Sequence, residues 1–404
     1  MTTPDIDVSP DPPPMSTESR PNTLPVVADT YRLRLPGPIA VPERVRLATA
    51  RPILNHRGPE FRAIWARTIA KVQPVVGTKQ PVHILATSGT GVMEAALLNI
   101  VAPGDRLLIV CNGQWGERFV SIAKALNTAV DTIDVPWGET VDPAALDAKL
   151  KTYDYRALVL VHNESSTGVI GDLATAGRLV KHTPTLLVTD SVSGLAGMDF
   201  QMDAWGVDIV VSGSQKALMC PPGIGLVAAS EKAWAVIRRD SGMPRFYFDL
   251  RKARDSYDKG ESTFTPPVSL VCGLDAALDM INEEGLPNVL ARHARLSRGI
   301  KAGAAVMGLA NFATAKMQSN TVACFHLPAA IDGVKLIQRL REKHHTVIAG
   351  ARNRLQGKMI RLGTMGAITD ADILTDLMHI EDVLAEMGHK MERGAALAAA
   401  AKAF

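Results

Sequence analysis

Two residues in this chain have the type and setting for amine–carbonyl chemistry. Lys216 stands in VSGSQKALMCPPGIG, where the short apolar run Asp208–Val211 ends in small polar residues and a Pro-Pro-Gly turn follows. An amine on a tight loop at the end of a predicted strand is within reach of a bound small molecule. Its apolar flank, Ala217-Leu218-Met219, predicts partial desolvation, which lowers a lysine's pKa and frees it as a nucleophile. The plainer alternative is a surface lysine. Upstream, the run Leu186–Val188 leads to Asp190 in TLLVTDSVSGLAG. A lone acid after an apolar run is more commonly a loop acid or a helix cap. As a charge partner it does something more specific: a carboxylate about 3 Å from a pyridine nitrogen keeps that nitrogen protonated and makes the ring an electron sink. A Schiff-base lysine and such an acid are the two groups that a pyridoxal 5'-phosphate site needs most.

Other segments offer the remaining parts of such a site. ATSGTGVMEAAL, residues 86–97, reads as a strand end, a glycine-rich turn and a helix start. Exposed amides at the helix N-terminus with the hydroxyls of Ser88 and Thr90 make a phosphate cradle, although the same hydroxyls can cap the helix with no ligand. A dinucleotide fingerprint fits worse, because Glu94 stands where the third glycine belongs, and the lysine of a P-loop is missing. Trp115, between glycines in CNGQWGER, could stack on a flat cofactor or simply fill the core. Ser165, Ser166 and Thr167 in HNESSTG bring hydroxyls to the same region, or form a polar turn. Arg361 in MIRLG sits in an apolar strand, where a planar guanidinium suits a carboxylate; a structural ion pair is the alternative.

These residues need a scaffold, and the pattern between residues 80 and 230 supplies one. Short apolar runs at His83–Ala86, Arg106–Cys111, Val130–Val135, Ala157–Val161, Thr185–Thr189, Asp208–Val211 and Gly225–Ala229 alternate with helical stretches such as Val92–Ile100, Glu117–Leu126, Pro143–Leu150 and Leu173–Lys181. This predicts an α/β fold with a mostly parallel sheet covered on both faces, whose ligand crevice lies at the carboxyl ends of the strands. Ser88, Asn112, Asn163, Asp190 and Ser212 all fall at or just past such ends. Helices Pro267–Glu283 and Pro287–Met307 follow. Strands Thr321–His326, Thr346–Ala349 and Met359–Leu362 then mix with helices Asp332–Lys343 and Asp370–Met387, the style of a smaller α+β domain.

The 404 residues suggest two folded domains, drawn here at 31–283 and 284–390. Residues 1–30 hold seven of the 25 prolines and read as a disordered tail, and residues 391–404 as a low-complexity tail, helical or frayed. A net charge of +3 is too mild to argue for nucleic acid or a membrane surface. The four scattered cysteines, without a C-x-x-C pair, suggest reduced thiols in a cytoplasmic chain and no zinc site. No apolar run approaches the length of a membrane span, nor does an apolar block follow a basic start as in a secretory signal.

Taken in order, PGP at Pro36–Pro38, SGTG…EAAL, NGQWGER, HNESSTG, TDSVSGLAG, SGSQKALMCPPG, TPPVSL at Thr265–Leu270 and IRLG resemble the class V aminotransferases of the pyridoxal-phosphate fold type I, the alanine/serine–glyoxylate branch above all. The resemblance covers roughly residues 33 to 385. It implies a large domain with a mostly parallel seven-stranded sheet and a small α+β domain. It implies transamination between alanine or serine and glyoxylate or pyruvate. Lys216 would hold the cofactor covalently, Asp190 would pair with its ring nitrogen, and Trp115 would stack on the ring beside Ser165. Ser88, Gly89, Thr90, Gly91 and Gln215 would surround its phosphate. Arg361, Gly37 and Ser165 would take the substrate. Thr265 would reach the phosphate of a neighbouring subunit, making the active unit a homodimer with shared sites. The helical stretch CGLDAALDMINEEG also resembles the pyridoxamine–pyruvate aminotransferase. A cysteine desulfurase-like lyase of the same fold is a further alternative, although it needs a mobile cysteine and Cys324 falls in a predicted strand. A hydrolase lacks support, with no G-x-S-x-G serine and no H-E-x-x-H. A non-catalytic binding protein on an α/β fold is the remaining rival.

Overall fold

The computed structural model describes residues 31–314, 316–351 and 355–404; the proline-rich segment 1–30 lies outside the described residues. Seven strands build the central sheet: β1 Val82–Ala86, β2 Arg106–Cys111, β3 Ala129–Asp134, β4 Ala157–Val159, β5 Leu186–Asp190, β6 Ile209–Gly213 and β7 Ile224–Ala229. They lie in the order β1-β7-β6-β5-β4-β2-β3. β7 runs antiparallel to both of its neighbours, while the pairs from β6 to β3 are parallel. Every strand expected between residues 80 and 230 is present, with Arg106–Cys111 unchanged and no bound of the others moved by more than two residues.

The strands read as nearly unbroken apolar runs because both faces are covered. Leu108, Val110, Leu158 and Leu187 pack into one buried cluster, and Leu107, Ile109, Val159 and Val188 into the cluster on the other face. Side-chain caps fix the helix starts between them. Ser88 caps Gly89–Leu98, Asp142 caps Pro143–Leu150, Asp172 caps Leu173–Val180 and Ser230 caps Glu231–Ile237, each accepting from a backbone amide of the first turn. The cap at Ser88 starts its helix three residues earlier than the apolar periodicity indicates. The amphipathic helix Pro59–Val76, which sequence reasoning left unassigned, buries Phe61, Ile64, Trp65 and Val72.

Helices Val268–Glu284 and Leu286–Val306 lead to a second, antiparallel sheet. Its strands β8 Val322–His326, β9 Ala349–Gly350 and β10 Met359–Gly363 are ordered β8-β10-β9. The single strand expected over Thr346–Ala349 is divided. Thr346–Val347 pairs in parallel with Arg32–Leu33, Ala349–Gly350 pairs with β10, and buried Ile348 lies between. The start of the described chain is thereby fastened to this sheet. It is fastened again where the Gly363 amide donates to the Arg34 carbonyl at 2.8 Å, and where Arg34 reaches Asp376 and Asp372 at 2.6 Å each. The alanine-rich end forms a helix, Ala395–Ala403, that buries Ala396 and Ala400. Its docking needs small residues on both sides: a side chain at Gly299 would overlap the Phe404 ring. Among the described residues, no helix is long and apolar enough to cross a membrane.

Candidate active site

The carboxyl ends of β2, β5 and β6, the end of β1 and the segment after β4 open into one cavity of about 470 Å³. Lys216 lies just past β6 and is only 8% exposed. Its Nζ donates to the carbonyl of Pro36. Burial pulls its pKa down to about 8, with Arg361 pulling the same way and Asp190 opposing. Gly37, in the left-handed region at φ 103°, lies against the Lys216 side chain, where any Cβ would collide. Asp190 is the last residue of β5 and is 4% exposed. Burial pushes its carboxyl up to about 6, against the pull of the Val192 amide, which donates to it at 2.6 Å, and of Lys216 and Arg118. A buried amine near 8 and a buried acid near 6, at the ends of neighbouring parallel strands, form a pair poised to exchange charge with a ligand.

Trp115 and Ser165 form one wall. The indole Nε1 donates to Ser165 Oγ at 2.7 Å. Behind them stands Glu164, fully buried, which sequence reasoning passed over as part of a polar turn. One of its oxygens accepts from the amides of Trp115 (3.0 Å) and Gly116 (3.3 Å), the other from the amide and hydroxyl of Ser166 (3.2 and 2.5 Å). Burial raises this carboxyl to about 7, and the four donors hold it from going higher. Glu164 therefore caps the helix Gln114–Ala125 and locks the Trp115 turn to the Ser165 turn. Gly113 is required there, since a side chain would run into the Glu164 carboxylate and Ser166.

The third side is the turn after β1. Ser88, Gly89 and Thr90 line the cavity together with Gln215. Ser88 Oγ accepts from the Gly91 amide at 3.3 Å, and Thr90 Oγ1 accepts from Arg118 at 2.9 Å. Arg118, the last residue of NGQWGER and given no role from the sequence, also lines the cavity. Arg361 enters from β10, its guanidinium donating to the carbonyls of Gly350 (2.9 and 3.1 Å) and Ser165 (3.2 Å). The structure thus gathers Lys216, Asp190, Trp115, Ser165, Ser88, Gly89, Thr90, Gln215, Gly37 and Arg361 around one space.

Gly91 and Thr265 stand outside that space. Gly91 is packed against Thr87, and Thr265 is exposed, beside Tyr247 and Ala86 at the edge of β1. Of the polar residues expected at the rim, Asn112, Asn163 and Ser212 do not line it. They bond inward, to the carbonyl of Glu139, to Ser193 and Thr321, and to the carbonyl of Ser191. Ser212 in fact lies within β6, one residue from its end. A cavity in the size range of small-molecule sites, holding a depressed amine, a raised acid, an indole and a hydroxyl- and amide-lined helix start, fits pyridoxal 5'-phosphate in its chemistry.

The family described as Aminotransferase class-V matches residues 47–373. The serine–glyoxylate aminotransferase of Arabidopsis thaliana is 35% identical over 379 residues, 92% of this chain and 94% of its own. The structure of the alanine–glyoxylate aminotransferase from Nostoc sp. superposes with a TM-score of 0.87 at 30% identity, over 92% of this chain and all of the other. That of the pyridoxamine–pyruvate aminotransferase from Mesorhizobium loti gives 0.87 at 28% identity, over 94% and 98% of the two chains.

Proposed function

We propose, from the premise that this chain belongs to the class V aminotransferases, that it carries an amino group from alanine or serine to glyoxylate or pyruvate with pyridoxal 5'-phosphate as cofactor. The observation that carries this reading is the burial of Lys216 and Asp190 in one cavity, at the ends of adjacent parallel strands. When bound, the cofactor supplies an aldehyde that condenses with amines and a ring that takes up the electron pair left at the donor's Cα.

The residues of the chain do the rest. Lys216 Nζ, deprotonated in an accessible range because it is buried, is the nucleophile that anchors the cofactor. The same nitrogen would then be the base for the donor's Cα proton, which it must pass to a different carbon and not back to the donor's Cα for the amino group to be transferred. Asp190 would keep a proton on the cofactor's ring nitrogen. Trp115, held by Ser165 and Glu164, is the flat surface for the ring. Arg361 supplies the fork for the substrate carboxylate, with Gly37 leaving the backbone room for substrate beside Lys216. Ser88, Gly89, Thr90 and Gln215 form the phosphate cradle.

A second subunit belongs to this reading. Thr265 is exposed beside stacked Tyr247 and Phe264, 5.1 Å apart, and Phe246 next to them is 70% exposed. A homodimer through this face would bring Thr265 to the partner's phosphate. The pyridoxamine–pyruvate reaction is the second reading, favoured by the likeness to that enzyme; the hydroxyl-lined helix start argues for a phosphorylated cofactor. A desulfurase is disfavoured: Cys324 is fixed in β8, and burial pushes its thiol up to about 12. The test is Lys216→Ala together with a panel of donors against glyoxylate and pyruvate. Wild type should be yellow and active, and the variant colourless and inert. A fully active variant would end the proposal.

A further inference from the structure

We propose that Arg118 is the cationic ligand of the cofactor's phosphate, an inference that rests on the cofactor assignment made above. A phosphate monoester brings a charge of about −1.5 to −2 at neutral pH. The cradle of Ser88, Gly89, Thr90 and Gln215 is built from neutral groups. Helix-terminal amides favour an anion, but a buried dianion needs a compensating charge as well. Among the described residues, three cationic side chains line the cavity: Lys216, Arg361 and Arg118. The first is committed to the cofactor's aldehyde. The second is fastened to the carbonyls of Gly350 and Ser165, at the small-sheet side. Arg118 is bonded to the cradle itself, through Thr90 Oγ1.

The geometry suits the role. The Arg118 guanidinium lies over the Trp115 ring, 4.4 Å from its centroid. An aromatic face holds a guanidinium through its π surface and leaves the in-plane N–H groups for acceptors. The bond to Thr90 occupies one of five such donors. Arg118 comes from the first turns of the helix Gln114–Ala125, whose start is locked by Glu164, so the cation is delivered from a rigid support. It therefore joins the two halves of the cofactor's seat, the indole for the ring and the hydroxyl turn for the phosphate.

The competing role is indirect, in which Arg118 only steadies Trp115 or the charge on Asp190. The two roles differ in which part of the ligand they serve. Apoprotein, wild type and Arg118→Met, is titrated with pyridoxal 5'-phosphate and separately with unphosphorylated pyridoxal, following the visible absorbance of the lysine adduct. Thermal unfolding of both apoproteins checks folding, and Arg118→Lys keeps a point charge in case the methionine variant unfolds. The expected result is about a tenfold or greater loss of affinity for the phosphorylated form, as for a charge-assisted hydrogen bond, with pyridoxal binding changed by less than about twofold. Arg118→Lys should fall in between. An equal loss for both ligands, or no loss for either, would overturn the assignment. Failure of wild type to form an adduct with either ligand would instead overturn the cofactor reading beneath it.

Discussion

In the proposed reaction the chemistry turns on the Lys216 amine, and its burial sets a measurable boundary. Near 8, well below the ordinary lysine range, the amine is largely protonated at neutral pH and fully nucleophilic only above that point. The rate at which apoprotein captures pyridoxal 5'-phosphate should therefore climb about tenfold per pH unit up to about 8 and level off above it. Stopped-flow absorbance reads this directly; a rate still climbing at about pH 10 would mean the amine is not desolvated in solution. On the acid side, protonation of Asp190 below about 6 removes the charge that pairs with the ring nitrogen, so capture should steepen downward there. Gly37 tests the same neighbourhood from the other strand of chain. Its φ of 103° disfavours any side chain, and a Cβ there would push aside the flexible end of Lys216. Gly37→Ala should cost about 1–3 kcal/mol from the backbone alone. It should also shift the adduct's absorbance by displacing the lysine, and an unchanged spectrum and melting curve would count against the contact.

At the scale of elements, the site is a set of strand ends and helix starts, which is why so much of it was legible. Lys216, Asp190 and Ser88 each follow an apolar run, and an apolar run followed by a polar residue marks where a parallel strand delivers its side chains. The same signal misled at Asn112, Asn163 and Ser212. A strand end says which edge a residue occupies, not whether its side chain turns to the crevice or back into the loops. Glu164 and Arg118 lie within HNESSTG and NGQWGER but drew no role from the pattern, because an acid in ESSTG looks like a turn and an arginine on an amphipathic helix looks like its solvated face. Their roles come from partners 48 and 28 residues away in the sequence, which spacing does not report. Glu164 makes the missing part testable. Both oxygens accept from two donors, so Glu164→Gln must aim an amide NH2 at groups that are themselves donors. The substitution should cost about 2 kcal/mol in urea unfolding. It should also change the Trp115 contribution to fluorescence and weaken cofactor binding, while a neutral outcome on all three would show that the helix start holds itself.

The molecule as a whole is tied together by its first described residues. Arg32–Leu33 extend the small sheet's side through Thr346–Val347, the Arg34 carbonyl accepts from Gly363, the Pro36 carbonyl takes the Lys216 amine, and the Ile39 amide donates to the Gln215 carbonyl. Eight residues, Arg32 to Ile39, thus run from the second sheet to the Lys216 loop of the first. Their anchor is the ion pair of Arg34 and Asp376, whose side chains are 6% and 1% exposed. Burial raises Asp376 to about 6, against the pull of Arg34 and Arg32. Arg34→Met leaves that carboxylate buried with Arg32 alone at 3.3 Å, and uncompensated buried charge is costly, so about 3 kcal/mol of stability should be lost at neutral pH. The sign of the pH dependence follows from the acid. Without Arg34 its folded-state pKa rises further above the unfolded value, so the penalty grows as pH climbs through that range. The gap between variant and wild type should be widest near about pH 8 and shrink toward about pH 5, where the acid is neutral in the folded state. Urea titrations across that range measure the gap. If the strap also holds Lys216 in place, the plateau of cofactor capture should move above pH 8 in the same variant, toward the value of a solvated amine. A gap independent of pH would show that Asp376 is not the group left stranded, and an unmoved plateau would show that the lysine loop keeps its own place without the strap.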